Sequence, residues 1–71
     1  MHNKSFDDLQ RKAASLHEKA FILRERGDWD EALRLFQQAL EVEEEIGDLY
    51  GKSKTLHQIA DIYASTLSGM N

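Results

Sequence analysis

The sequence contains no cysteine and no proline, and it has only four glycines in 71 residues. Without cysteine there is no disulfide framework and no thiolate metal site, a composition that suits a reducing compartment. The first residues, Met1 to Leu9, are polar and show no secretory pattern, so a cytoplasmic setting is the expectation. Long apolar runs are missing too: nothing approaches the roughly 18 residues that span a bilayer, and no membrane partner is expected. Positive charge is scarce. Nine Lys and Arg against thirteen Asp and Glu leave a net charge of -4, which repels a phosphate backbone unless the bases cluster on one face. Here the helical stripes that carry bases also carry acids, so no nucleic-acid partner is expected.

With proline absent, the glycines are the only breaks, and what lies between them is helical in period. Phe6, Leu9, Ala13, Leu16, Ala20 and Leu23 recur at alternating steps of three and four, the signature of one apolar helix face. Ser5 with Asp8 has the form of a capping box, and Gly27 supplies a left-handed C-terminal turn, so the first helix runs over about 5–26. Asp28 with Glu31 forms a second capping box ahead of Trp29, Ala32, Leu33, Phe36, Ala39 and Leu40, a second helix over about 28–46. The cluster Glu41, Glu43, Glu44 and Glu45 near its end reads as a solvated face. A third helix over about 48–67 carries Leu49, Leu56, Ile59, Ala60, Tyr63 and Leu67 on one side, with Ile62 widening the stripe. Gly51, in its first turn, costs up to about 1 kcal/mol relative to Ala. Residues 1–4 and 68–71 are expected to fray. Two-residue links make neighbouring helices antiparallel, which defines an all-α fold.

The chain also repeats itself. Leu9–Leu23 aligns without gaps on Leu49–Tyr63, 40 residues later, with six of fifteen positions identical. The identical pairs are Leu9/Leu49, Lys12/Lys52, Leu16/Leu56, His17/His57, Ala20/Ala60 and Ile22/Ile62. Repetition at this period is the sign of a solenoid, whose units bury their apolar faces by stacking on a neighbour. Small residues, Ala20 with Ala32 and Ala39 with Ala60, stand where paired helices cross closely, and Trp29 and Phe36 fill the gaps around them.

Leu16, Ala20 and Leu23, the Gly27 turn, then Ala32, Phe36 and Ala39 make this pattern resemble the tetratricopeptide repeat, with Gly27–Leu40 (GDWDEALRLFQQAL) closest to the family motif. Leu56, Ala60 and Tyr63 resemble the first helix of a following repeat. The resemblance implies an antiparallel three-helix α-solenoid fragment, with one full helix-turn-helix repeat over 5–46 and the first helix of a second. Its 40-residue spacing is similar to the longer-helix variants found in kinesin light chains. Departures are Lys19 in place of an apolar residue and Glu44 about where a proline would fall.

The resemblance also implies a function, a non-enzymatic module that binds a peptide or helix of a protein partner on its concave face. That face would present Ala14, His17, Phe21 and Arg24 from the first helix and Lys54, His57 and Asp61 from the third. Phe21 beside Arg24 has the composition of a binding hot spot, or Phe21 covers part of the neighbouring helix. A metal between His17 and His57 is disfavoured, because adjacent helices stand roughly 10 Å apart and zinc needs ligands at about 2 Å. No nucleophile stands beside an ordered base and no phosphate-binding glycine loop is present, so neither catalysis nor a cofactor is expected. A second reading is self-assembly. Ile59, Ile62, Tyr63 and Leu67 have no following helix to cover them, so the chain would homodimerise through that face or by exchanging the third helix.

Overall fold

A computed structural model of the chain describes residues 5–68 and contains helices α1 (Phe6–Glu25), α2 (Trp29–Ile46) and α3 (Leu49–Ser68). Apart from Ser68, which closes α3, the ends expected to fray lie outside the described residues. Ser5 starts α1 from an extended backbone, and its hydroxyl accepts the Asp8 N–H at 3.2 Å. This satisfies one of the donors that the first turn leaves free. The helix stops at Gly27, whose φ of 83° is left-handed. Around it the Asp28 N–H donates to the Leu23 carbonyl at 2.9 Å and the Gly27 N–H to the Arg24 carbonyl at 3.0 Å. These are the two bonds of a Schellman turn, and they recur at Gly47, where Asp48 donates to Glu43 at 2.9 Å and Gly47 to Glu44 at 3.3 Å.

The second capping box does not form. Asp28 makes no side-chain cap bond, and Glu31 lies instead 3.4 Å from Arg34, one turn on. The reason is local: Asp28 is also the last residue of the Gly27 turn, and its ψ of 70° differs from the 164° of Ser5.

Helix α2 lies between the other two, packing against both, while α1 and α3 touch only weakly. Ala20, Ala32, Phe36 and Ile62 form the buried cluster, with Leu23, Trp29, Leu33, Leu35 and Ile59 packed around it. Ala20 and Ala32 are both fully buried, so the α1 and α2 backbones approach closely and Phe36 fills the space beside them. No strand is present among the described residues, and no helix there is long and apolar enough to cross a membrane.

Helix α3 is rotated relative to the face expected from its stripe. The side chains it buries are Thr55 and Ile62, both at 0% exposure, whereas Leu56 is 46% exposed, Tyr63 50% and Leu67 66%. Ala60 is exposed as well. Ile62 therefore belongs to the core and Ile59 packs against it, so neither extends the uncovered face named above. The physical cause is the order of the helices. On α1 the Leu16, Ala20 and Leu23 stripe is covered by the helix that follows it. In α3 the equivalent stripe is exposed, and α3 meets α2 with a different side.

Candidate interaction groove

Asp48 begins α3: its Oδ1 accepts the Gly51 N–H at 2.9 Å, which caps the first turn. Gly51 is favoured there by crowding with two carboxylate side chains rather than by backbone angle. A methyl at this position would collide with the Asp48 carboxylate and stand 2.9 Å from Glu43 Oε2. Gly51→Ala is thus expected to lower the melting temperature, because the helix-propensity gain of about 1 kcal/mol is outweighed by a displaced cap and a displaced Glu43. A rise in melting temperature on circular dichroism would contradict this packing.

Glu43 of α2 is 3% exposed, and its side chain is held by both of the other helices. The Thr55 hydroxyl of α3 donates to its Oε1 at 2.7 Å, and the Nε2–H of His17 on α1 donates to its Oε2 at 2.9 Å. The Thr55 oxygen also lies 2.6 Å from His17 Nε2 and 2.9 Å from the Gly51 carbonyl. The His17 ring stands edge-on to Phe36, 5.6 Å between centroids and 77° between planes. This joint satisfies a buried carboxylate with hydrogen bonds, as such burial demands, and among the described residues no buried side-chain polar atom lacks a partner. The reading of Glu43 as part of a solvated acidic face is corrected accordingly; its neighbours Glu41, Glu44 and Glu45 are exposed.

Above the joint, an open groove of about 1130 Å³ runs between α1 and α3. Ala14, Glu18 and Phe21 line it from α1, Tyr50, Lys54 and Gln58 from α3, and His17, Phe36 and Glu43 at its floor. Phe21 is 48% exposed and Tyr50 76%, and the Lys54 ammonium sits 5.3 Å from the centre of the Tyr50 ring. Arg24 is committed to the rim, where its Nη1 donates to Gln58 Oε1 and ties α1 to α3.

Of the residues expected on the concave face, Ala14, His17, Phe21 and Lys54 are brought together around this groove. Two of the expectations change. His17 is not an outward group: only a quarter of its side chain is exposed, and its ring nitrogen is used by Glu43 and Thr55. His57 and Asp61 do not line the groove; they face each other at 3.5 Å on α3. Among the described residues, no three His, Asp or Glu side chains are grouped so as to hold a metal ion.

Tyr50, Glu18 and Gln58 were missed as groove residues, although the repeat carried a signal for all three. Glu18 lies one helical turn beyond Ala14, and Gln58 lies one turn beyond Lys54 at the equivalent place in α3. Tyr50 carried the same signal, one turn before Lys54, and its partner position Gln10, one turn before Ala14, lines the groove as well.

No curated protein and no solved structure matches the chain. A family model described as Tetratricopeptide repeat matches residues 11–67, the greater part of the sequence, from the first turns of α1 to the end of α3. Helix pairs joined at Gly27, small residues buried at their crossing and a third helix stacked on the pair agree with that match, and the chain belongs to the tetratricopeptide repeat family.

Proposed function

We propose that this chain is a non-enzymatic interaction module that receives an extended peptide or a helix of a protein partner in the groove between α1 and α3. Tetratricopeptide repeats generally mediate protein–protein interaction, and the observation that supports this reading is the groove itself. Phe21 and Tyr50 offer exposed aromatic surface across it, while Glu18, Lys54 and Gln58 offer hydrogen bonds along it. Aromatic side chains on a rigid rim are the usual source of binding energy, and polar neighbours set orientation. The partner is a protein rather than a nucleic acid or a membrane, given the net charge of -4, and the setting is cytoplasmic, as the cysteine-free composition suggests. The 40-residue spacing supports reading the module as one of the longer-helix variants that resemble kinesin light chain repeats.

Peptides selected from a random library against the whole chain test the groove. Phe21→Ala and Lys54→Ala are each expected to weaken them about tenfold or more, with the helical circular dichroism unchanged. Selected peptides that bind both variants as tightly as the parent would defeat this site.

A second reading, self-assembly, is favoured by one specific observation. The stripe Leu56, Ala60, Tyr63 and Leu67 is exposed along α3, and apolar surface in a continuous line is a common mark of association.

A further inference from the structure

We infer that two copies of this chain pair through α3 in antiparallel, two-fold fashion, with Leu56 against the second copy's Leu67 and Ala60 against its Tyr63. The inference rests on the self-assembly reading above and is independent of what the groove binds. Leu49, Ser53, Leu56, Ala60, Tyr63 and Leu67 follow steps of four and three, the spacing that keeps one seam facing a partner helix. Leu49, at 77% exposure, lies at the head of this seam, and the buried side chains Thr55 and Ile62 face α2 instead.

The molecule itself shows what such a seam accepts. Forty residues earlier the same positions are Leu9, Ala13, Leu16, Ala20 and Leu23, where Ala13 is 5% exposed, and fully buried Ala20 and partly buried Leu23 pack in the core cluster with Ala32 and Phe36 of α2. An antiparallel helix is thus the partner this pattern takes. A second copy's α2 is not available for the role, since Ala32, Phe36 and Ala39 are already buried. Its α3 is available, with a seam still exposed.

The seam is also complementary to itself. The steps from Leu56 to Ala60 to Tyr63 to Leu67 read four, three, four in both directions, so reversing one helix superposes the set on itself. Antiparallel pairing then sets the small Ala60 opposite the large Tyr63 at both central layers and leucine opposite leucine at the outer ones. Parallel pairing would set alanine on alanine and tyrosine on tyrosine, leaving a gap in one layer and a clash in the next.

Charge sets no strong barrier at this face. The chain carries -4 in total, but α3 contributes two lysines, Lys52 and Lys54, against the single acid Asp61, and none of the three lies on the seam. Copies that meet through α3 therefore bring together the least acidic of the three helices. Added salt should strengthen the pair by screening the remaining repulsion.

Sedimentation equilibrium of the 71-residue chain over a wide concentration range is the test. The mean mass is expected to climb from 8.2 kDa toward twice that value, to climb at lower concentration in high salt, and to stay monomeric in Ala60→Tyr. The double variant Ala60→Tyr/Tyr63→Ala exchanges large for small at both layers and is expected to restore the dimer. Since the chain has no cysteine, single-cysteine variants report the direction. Leu56→Cys mixed with Leu67→Cys is expected to give a disulfide-linked heterodimer on oxidation, and Leu56→Cys alone only a trace of linked product. A monomer at every concentration overturns the inference, as does a dimer untouched by Ala60→Tyr, which would signal helix exchange or another face. Self-linking of Leu56→Cys would show a parallel pair and overturn it equally.

Discussion

Phe36→Ala is expected to leave the chain largely unfolded at room temperature, with its helical circular dichroism lost rather than merely shifted to a lower melting point. Phe36 is 1% exposed and is the largest fully buried side chain, touching the core from the middle of α2. Truncating a buried phenylalanine costs about 3–5 kcal/mol, partly as lost transfer energy and partly as a cavity that the surroundings fail to close. A single core of this size supplies only about 3–5 kcal/mol in all, so the loss is comparable to the whole stability. Collapse into the cavity is hindered because Ala20, Ala32 and Ala39 have no longer side chains to move inward. A cooperative urea transition that keeps most of the parent midpoint would show that Phe36 is not central to the core.

Glu43→Ala is the second large effect, and it should act selectively on α3. Removing the carboxylate takes both hydrogen-bond acceptors from Thr55 and His17. Thr55 retains the Gly51 carbonyl at 2.9 Å and its oxygen still lies 2.6 Å from His17 Nε2, but the space the carboxylate filled between them is left as a void. The cost is about 1.5–3 kcal/mol, the worth of hydrogen bonds made to a charged group. Because the buried contacts of α3 with α2 are made by Thr55 and Ile62 with the flanking Ile59, and the Lys52–Glu44 ion pair at 3.2 Å is exposed, loss of the polar anchor should free its first turns. Amide exchange is therefore expected to accelerate over residues 51–58 much more than over α1. Glu43→Gln, which keeps one acceptor, should fall between the parent and the alanine variant. Uniform acceleration across all three helices would mean that the joint does not hold α3 specifically.

The fold was legible in the sequence because its signals were local. Ser5, Gly27 and Gly47 act on their own backbones, and the apolar steps of α1 and α2 record which side each turns to the other. The orientation of α3 was not legible, because a stripe shows that a face is apolar and not which neighbour covers it. Leu56, Ala60 and Tyr63 repeat the α1 pattern in sequence, yet the helix that covers that pattern in α1 comes after it. The buried joint was hidden for a related reason. Glu43 stands in an acidic run, and nothing in the run separates it from Glu41, Glu44 or Glu45, while His17 and Thr55 lie 26 and 12 positions away. Only the third dimension brings them together. The groove was half legible: the family resemblance pointed to Ala14, Phe21 and Lys54, but it also drew in His57 as the counterpart of His17, whose ring turns inward.

The claim that the α1–α3 groove is the site of partner binding is tested most directly by amide chemical-shift mapping of a library-selected peptide on the isotope-labelled chain. The proposed site predicts shifts concentrated at Ala14, His17, Phe21, Lys54 and Gln58, with Leu56, Ala60, Tyr63 and Leu67 unmoved. Shifts confined to that outer stripe of α3, with the groove silent, would contradict it.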